Sequence, residues 1–206
     1  CSDMPSLTDV VLPWAFRYRN SLTMRGGSEC IPLSRIDIGA LGTHPNLPRH
    51  IPNATVCDLE DLLSLDSSVN EIVFNSGIIN DPSFTVLDLS RFENVTSIVI
   101  GDESFMYVNE TSIVGLGELE SVEIGWNSFT KEKRSYGNDP NRRLYVKDCP
   151  KLKSLKMGRW SFSDYTVIEI ENVDALEVIE IGDLNTWNYN FYNASLELKS
   201  ILIHSE

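Results

Sequence analysis

The sequence predicts a repeat solenoid, mainly β, coiled so as to form two short parallel sheets with little helix. Three observations predict it. The pattern L-x-x-I-x-I recurs seven times, a second apolar-x-apolar segment precedes most copies, and Gly followed shortly by Ser-Phe closes several of them. Self-similarity at a fixed spacing is the signature of stacked units, each of which buries its apolar face only against its neighbours.

The clearest copies are LESVEIGWNSF over residues 119–129 and LKSLKMGRWSF over 152–162. Looser ones begin at Leu7, Leu33, Val69, Val95 and Leu176. The starts 7, 33, 69, 95, 119, 152 and 176 are separated by 26, 36, 26, 24, 33 and 24 residues, which sets a base period of 24–26 and about seven turns over residues 1–206 as one domain. The two long intervals hold loop insertions, near 40–66 (Pro-rich GTHPNLPRHIPN) and at 131–143 (polar KEKRSYGNDPNRR). Segments of that composition lie on a surface and leave a core alone.

Within each copy the period-two alternation of Leu, Ile and Val reads as a strand with alternate side chains inside. The inward set is Ile98, Ile100, Val122, Ile124, Leu155, Met157, Ile179 and Ile181. The preceding segments, LDLSRF from Leu87, LYVKDC from Leu144 and IEIENV from Ile168, supply a second strand per turn. Gly39, Gly101, Gly125, Gly158 and Gly182 follow the last inward residue, where a sharp exit calls for a left-handed backbone. Phe16, Phe84, Phe105, Phe129 and Phe162, with Trp187 in the same slot, are expected to stack as an aromatic column in the core. The one helical candidate is CDLEDLLSLD from Cys57, with Asp58 as cap and Leu59, Leu62 and Leu63 on one face.

Alignment of the ends with internal turns places Cys1, Met4 and Leu7 in the slots of Val146, Cys149 and Leu152, so the chain enters in mid-turn. Leu196, Leu198 and Ile201 match Ile168, Ile170 and Val173, so it stops before that turn closes. The expectation is a segment of a longer array, able to self-associate through open solenoid ends.

With 17 Lys and Arg against 30 Asp and Glu, the net charge of -13 opposes a phosphate backbone, and nucleic acid is excluded as a partner. Acids at outward strand positions, among them Asp37, Asp88, Glu123, Glu169, Glu180 and Glu197, keep flat sheets soluble. Of the four cysteines, Cys30 and Cys149 share an inward slot with Phe92, Leu116 and Val173 and read as buried thiols, while pairing of Cys1 and Cys57 is left open. Four glycosylation sequons begin at Asn53, Asn94, Asn109 and Asn193; three of them, Asn53, Asn109 and Asn193, read as loop positions just before the second strand. Their placement favours an extracellular or cell-surface location, with the cytoplasm as the alternative.

The stretch C-x-x-L-x-x-L-x-M from Cys149, with its relatives at Cys30 and Phe92, resembles the leucine-rich repeat, in particular the cysteine-containing subtype. The unit L-x-x-I-x-I-G-x-x-S-F is similar to that of BspA-like surface-protein arrays. The resemblance spans the whole chain and implies a binding or adhesion surface, which is an inference at the level of fold. Two departures stand out. The position of the usual Asn ladder holds Glu103, Asn127 and Trp160 in successive turns, and the turns lack a helical segment, so strand and coil are expected on the far side.

No HExxH, GxSxG, P-loop or GxGxxG motif is present, and no enzyme activity is expected. His44 and His50, with Cys57 and Asp58 beyond, do not make a metal-ligand pattern, and neither a metal nor a cofactor is expected. Asp88 and Glu169 could stack on successive turns but point outward. The predicted function is noncatalytic protein–protein recognition or adhesion toward a protein or glycan ligand, without membrane insertion in this segment; the alternative is an intracellular scaffold or regulatory module. The expected contact stripe is the outward set Arg35, Asp37, Glu71, Ser97, Ser121, Glu123, Lys156 and Glu180. Arg142 and Arg143, in an insertion that also holds Lys131, Lys133 and Arg134, are candidates for docking an anionic partner. In WNYNFYN from Trp187, Tyr189 and Tyr192 either contact a ligand or fold, with Phe191, over the last complete turn.

Overall fold

A computed structural model describes residues 53–131, 139–183, 188–191 and 194–199, all within Pro52–Glu206, one of two units into which the chain divides after Ile51. The expectations for Cys1, Phe16, Cys30, Arg35, Asp37, Gly39, His44, His50, Trp187, Tyr192 and Asn193 lie outside the described residues.

Among the described residues, short runs of alternating apolar residues form eleven strands that divide between two all-parallel sheets. One sheet contains Asn53–Val56 (β1), Glu71–Phe74 (β2), Ser97–Ile100 (β4), Ser121–Ile124 (β6), Ser154–Met157 (β8) and Val178–Ile181 (β10), in the order β1-β2-β4-β6-β8-β10. The other contains Val86–Asp88 (β3), Glu110–Val114 (β5), Asp139–Lys147 (β7), Tyr165–Glu171 (β9) and Ser195–Lys199 (β11), in the order β11-β9-β7-β5-β3. From β2 onward the chain therefore visits the two sheets in strict alternation, and one pass through both returns it one strand further along. The only described helix, Leu59–Ser64 (α1), falls where CDLEDLLSLD predicts it. Asp58 accepts the Asp61 N–H at 2.9 Å while Asp61 Oδ2 accepts the Cys57 N–H at 2.9 Å, a reciprocal cap. The helix is six residues long; Leu62 is buried but Leu63 is exposed, contrary to the expected shared face.

The register is the predicted one across most of both sheets. Ile98, Val122, Leu155 and Ile179 are partners in adjacent strands, as are Leu87, Thr111, Leu144, Ile168 and Leu196. Ile98, Ile100, Val122, Ile124, Leu155 and Met157 are fully buried. Ile179 and Ile181, also expected inside, remain 36 % exposed on β10, which among the described strands pairs with β8 alone.

Two stretches expected to be loop insertion contain strand. Asn53–Val56, within the 40–66 stretch, pairs with β2, and residues 139–143, within the 131–143 stretch, belong to β7. The β7–β9 register shifts between Asp139 and Arg143, whose partners Tyr165 and Val167 are only two apart, so β7 bulges by two residues there.

The third side of each pass is not strand, and its order explains the Gly-x-x-Ser-Phe motif. Gly101, Gly125 and Gly158 do not have positive φ, contrary to expectation; of the four predicted glycines among the described residues only Gly182 does, at +70°. Their role is close approach. A Cβ on Gly101 would lie 2.5 Å from Ser76 N, one on Gly125 2.6 Å from Asp102 N, and one on Gly158 2.6 Å from Gly125 C. The left-handed positions are instead Glu103, Asn127 and Trp160, together with Phe105, Phe129, Phe162 and Phe191, at φ between 49° and 66°.

Between these lie Ser104, Ser128 and Ser161, each fully buried. Their hydroxyls donate to the carbonyls of Asn75 (3.0 Å), Gly101 (2.7 Å) and Gly125 (2.6 Å) in the preceding pass. The Ser128 and Ser161 hydroxyls also accept the N–H groups of Ser104 and Ser128. A buried hydroxyl at this slot thus satisfies backbone groups that no strand ladder reaches. In the last described pass Asn190 takes the place of serine, its Nδ2 donating to Gly158 O at 2.7 Å.

Phe105, Phe129, Phe162 and Phe191 form the expected column, with centroid separations of 5.2, 4.5 and 5.2 Å and rings within 11° of parallel. Phe191 follows Phe162 in the slot expected for Trp187. At the other end Ile79, buried and at φ 52°, holds the slot assigned to Phe84, which lies beside Phe105 at 6.3 Å and a 41° tilt.

Candidate functional site

The pleat that turns Ile98, Val122 and Leu155 inward turns their neighbours outward, and parallel pairing lines these up into rows. On the six-stranded sheet one row runs Asn53, Glu71, Ser97, Ser121, Ser154, Val178 and the next runs Thr55, Val73, Val99, Glu123, Lys156, Glu180. All six described members of the predicted contact stripe therefore share one face: Glu71, Ser97 and Ser121 in the first row, Glu123, Lys156 and Glu180 in the second. The Ser121 hydroxyl donates to Ser97 Oγ at 3.2 Å, and Lys156 Nζ lies 3.6 Å from Glu180 Oε2 with both side chains at least half exposed. Ser154, Val99 and Val73 belong to the same rows and were not singled out by sequence, though the period-two rule that found Ser121 and Glu123 also reaches them.

The five-stranded sheet presents a different outer face. Lys147 pairs with Glu169 and, at 3.5 Å, with Glu171; Lys199 pairs with Glu197 at 2.9 Å. The hydrogen bond from Lys147 holds the Glu169 carboxyl below its ordinary pKa and raises that of the ammonium. Asp88 and Glu169 share a row, but Ser112 and Tyr145 stand between them, so the two carboxylates do not adjoin. This face is bulged and tied up in its own ion pairs, whereas the other keeps a uniform register across its strands.

Arg142 and Arg143 part company. Arg143 is exposed on β7, its guanidinium 3.4 Å from the Tyr145 hydroxyl. Arg142, expected on a solvated docking loop, is 1 % exposed. The bulge turns its side chain inward, where Nη1 donates to Phe129 O and Asp164 Oδ2, both at 3.1 Å, and Nη2 to Met106 O. Asp164 Oδ2 also accepts the Lys131 N–H at 2.7 Å, so one carboxylate holds the two chain segments that flank residues 132–138. Beneath Arg142 lies Tyr165, whose hydroxyl donates to Val108 O at 2.8 Å and is 3.2 Å from Thr111 Oγ1. Burial pushes the Tyr165 phenol well above its ordinary pKa. These contacts tie Arg142 into the interior instead of leaving it solvated.

Tyr189 is half-buried beside Trp160, ring centroids 6.4 Å apart, and its neighbours Asn190 and Phe191 continue the core ladder. For Phe191 the covering role is therefore the observed one. Cys149 is a free, buried thiol whose pKa burial raises. Cys57 is disulfide-bonded. Asn94 is exposed in a turn; Asn109 is half-buried just before β5; Asn53, expected in a loop, opens β1 and faces outward. Among the described residues no His, Cys, Asp and Glu group is arranged to hold a metal, and no helix is long and apolar enough to cross a membrane.

The mainly β class, with two parallel sheets and little helix, is as far as likeness takes the identification: no family model, curated protein or solved structure matches the chain.

Proposed function

We propose that this chain is a leucine-rich-repeat-type solenoid that serves noncatalytic recognition, presenting the outer face of the six-stranded sheet to a protein or glycan ligand at a cell surface or in a secreted setting. The observation that carries this reading is the register of that face. Residues from five strands, scattered over more than a hundred positions of sequence, line up as Glu71-Ser97-Ser121-Ser154 and Glu123-Lys156-Glu180. Small hydroxyls in the middle let a partner approach the backbone closely, and the flanking charges are solvated and free to re-pair across an interface. The repeat reading draws further support from the Gly, Ser and Phe slots, each filled on successive passes for one physical reason.

The Cys57 disulfide favours an oxidising compartment over the cytoplasm. A buried free thiol such as Cys149 is compatible with either, because burial keeps it inert.

The test compares two faces of one molecule. Fluorescently labelled full chain is applied to a glycan array and to a panel of intact cells, alongside a Ser121→Arg/Lys156→Glu variant of the six-stranded face and a Ser112→Arg/Glu197→Lys variant of the five-stranded face. The reading expects binding to fall at least tenfold, about 1.4 kcal/mol, in the first variant and to survive in the second. The reverse pattern, or equal loss, contradicts it.

A further inference from the structure

We propose that Asn94 is a site of N-linked glycosylation in this protein and that Asn109, which carries the same motif, stays bare in the folded chain. The proposal rests on the secreted or surface reading above, because the transfer belongs to a secretory compartment.

Sequence alone treats Asn94-Val95-Thr96 and Asn109-Glu110-Thr111 as equals. Their surroundings are not equal. Asn94 sits in the turn that carries the chain from β3 to β4, with its side chain exposed. Its backbone carbonyl is held by Asn70 Nδ2 at 2.9 Å, so the turn has a fixed shape while the amide points to water. The next two passes put Glu118 and Lys151 at this corner, an ion pair at 2.6 Å whose side chains are about half exposed, so the corner opens to solvent pass after pass. A glycan here displaces no packed group.

Asn109 is half-buried and tied to the passes on both sides of it. Its N–H donates to Thr85 O at 2.7 Å in one neighbouring pass, and its carbonyl accepts the Arg143 N–H at 2.8 Å from the other. Its side-chain Oδ1 lies 3.4 Å from Nε of the buried Arg142. The third residue of its motif, Thr111, is itself fully buried against the Tyr165 hydroxyl. An oligosaccharide on this amide must fold against the one buried guanidinium of the described residues and the clamp around it. Disturbing the partners of a buried charge is strongly destabilising, so chains modified there are lost before export.

In the transfer itself, Nδ2 of Asn94 attacks the anomeric carbon of an oligosaccharide carried on a polyprenyl pyrophosphate. The N–C bond forms, the C–O bond to the pyrophosphate breaks, the lipid pyrophosphate leaves with the bonding pair, and Nδ2 releases one proton. The product glycan stands at the corner between β3 and β4, off both outer sheet faces, and so leaves the rows through Ser121 and Glu123 uncovered.

The experiment expresses the full chain behind a signal peptide in a eukaryotic secretory host, in an Asn53→Gln/Asn193→Gln background that leaves only these two motifs. The secreted protein is expected to lose one glycan mass on treatment with peptide amidase, with the Asn-to-Asp conversion located at position 94 by peptide mapping. Adding Asn94→Gln, or Thr96→Ala should the first variant fail to export, abolishes the glycan; adding Asn109→Gln leaves it. A glycan at position 109 in exported, folded material overturns the proposal, as does a bare Asn94 in exported material. Because the host forces secretion, occupancy there reports on the site alone; the native compartment is read separately, from the thiol state of Cys57 in material from its natural source.

Discussion

Replacing Gly125 with alanine separates two explanations for a glycine that recurs once per pass. The added Cβ would stand 2.5 Å from Asp102 Oδ1, 2.6 Å from Asp102 N and 2.7 Å from Gly101 C. The last two are backbone atoms of the preceding pass and cannot rotate away, and Gly125 is itself held by its N–H to Ile100 O at 2.7 Å. Relieving the overlap means spreading two passes apart, which costs about 1–3 kcal/mol as overpacking and about 1 kcal/mol more for each backbone hydrogen bond weakened. A loss of about 3 kcal/mol is expected. Two controls sit in the same molecule: a Cβ on Gly117 meets nothing within 4 Å and its φ is ordinary, whereas Gly115 is equally open but has φ +74°. Gly117→Ala should be neutral or stabilise by up to about 1 kcal/mol, and Gly115→Ala should cost about 1–2 kcal/mol from the left-handed backbone alone. Urea unfolding followed by tryptophan fluorescence ranks the three. If Gly125→Ala lies within about 0.5 kcal/mol of Gly117→Ala, close approach between passes is not what selects the glycine.

Arg142→Ala should lose about 3–5 kcal/mol, because it strands the Asp164 carboxylate and two buried carbonyls, and Arg142→Lys should recover little, since a point-like ammonium cannot serve Phe129 O, Met106 O and Asp164 at once. A cost under about 1 kcal/mol in thermal or urea unfolding would contradict the clamp. Tyr165 imposes a pH dependence: burial raises its folded-state pKa, so the folded chain keeps a proton that the unfolded chain gives up. Its contribution to stability is intact below about pH 10 and declines above it by up to about 1.4 kcal/mol per pH unit. Tyr165→Phe should show a shallower decline than wild type between about pH 10 and 11, and identical alkaline slopes would refute the assignment.

What sequence could show and what it could not divides along physical lines. Strand register was legible because burial imposes a strict period of two: a one-residue slip would expose Ile98, Val122 and Leu155 together. The stacking of Phe105, Phe129 and Phe162 followed from the same spacing. By contrast Asn53–Val56 reads as polar loop, because two of its four side chains face solvent and only pairing with β2 makes it a strand. The strand after Asn109 was legible as β5, but the partner of its inward Thr111 was not, since the Tyr165 hydroxyl that meets it lies 54 residues later. Gly125 was found but misread, because a close approach and a left-handed turn select the same residue type. Arg142 reads as solvated until a bulge turns it inward toward Asp164, and no local pattern announces a bulge of two residues. For the candidate face the outward rule located its six described members, while the preference for it over the five-stranded face came from the ion pairs of Lys147 and Lys199, which depend on three-dimensional placement.

Residues a full pass apart in sequence are immediate neighbours on one continuous outer face, and paired cysteines test that adjacency. Ser121 and Ser154 are register partners on adjacent strands, whereas Ser97 and Ser154 are separated by β6. Adjacent strands stand about 4.8 Å apart, within the roughly 4.4–6.8 Å Cα separation that a disulfide bridges; two strands apart is too far. Under mild oxidation the Ser121→Cys/Ser154→Cys protein should form an intramolecular bridge, seen by peptide mapping, and the Ser97→Cys/Ser154→Cys protein should keep both introduced thiols free. Bridging in the second and not the first, or in neither while the protein remains folded, would contradict the claim.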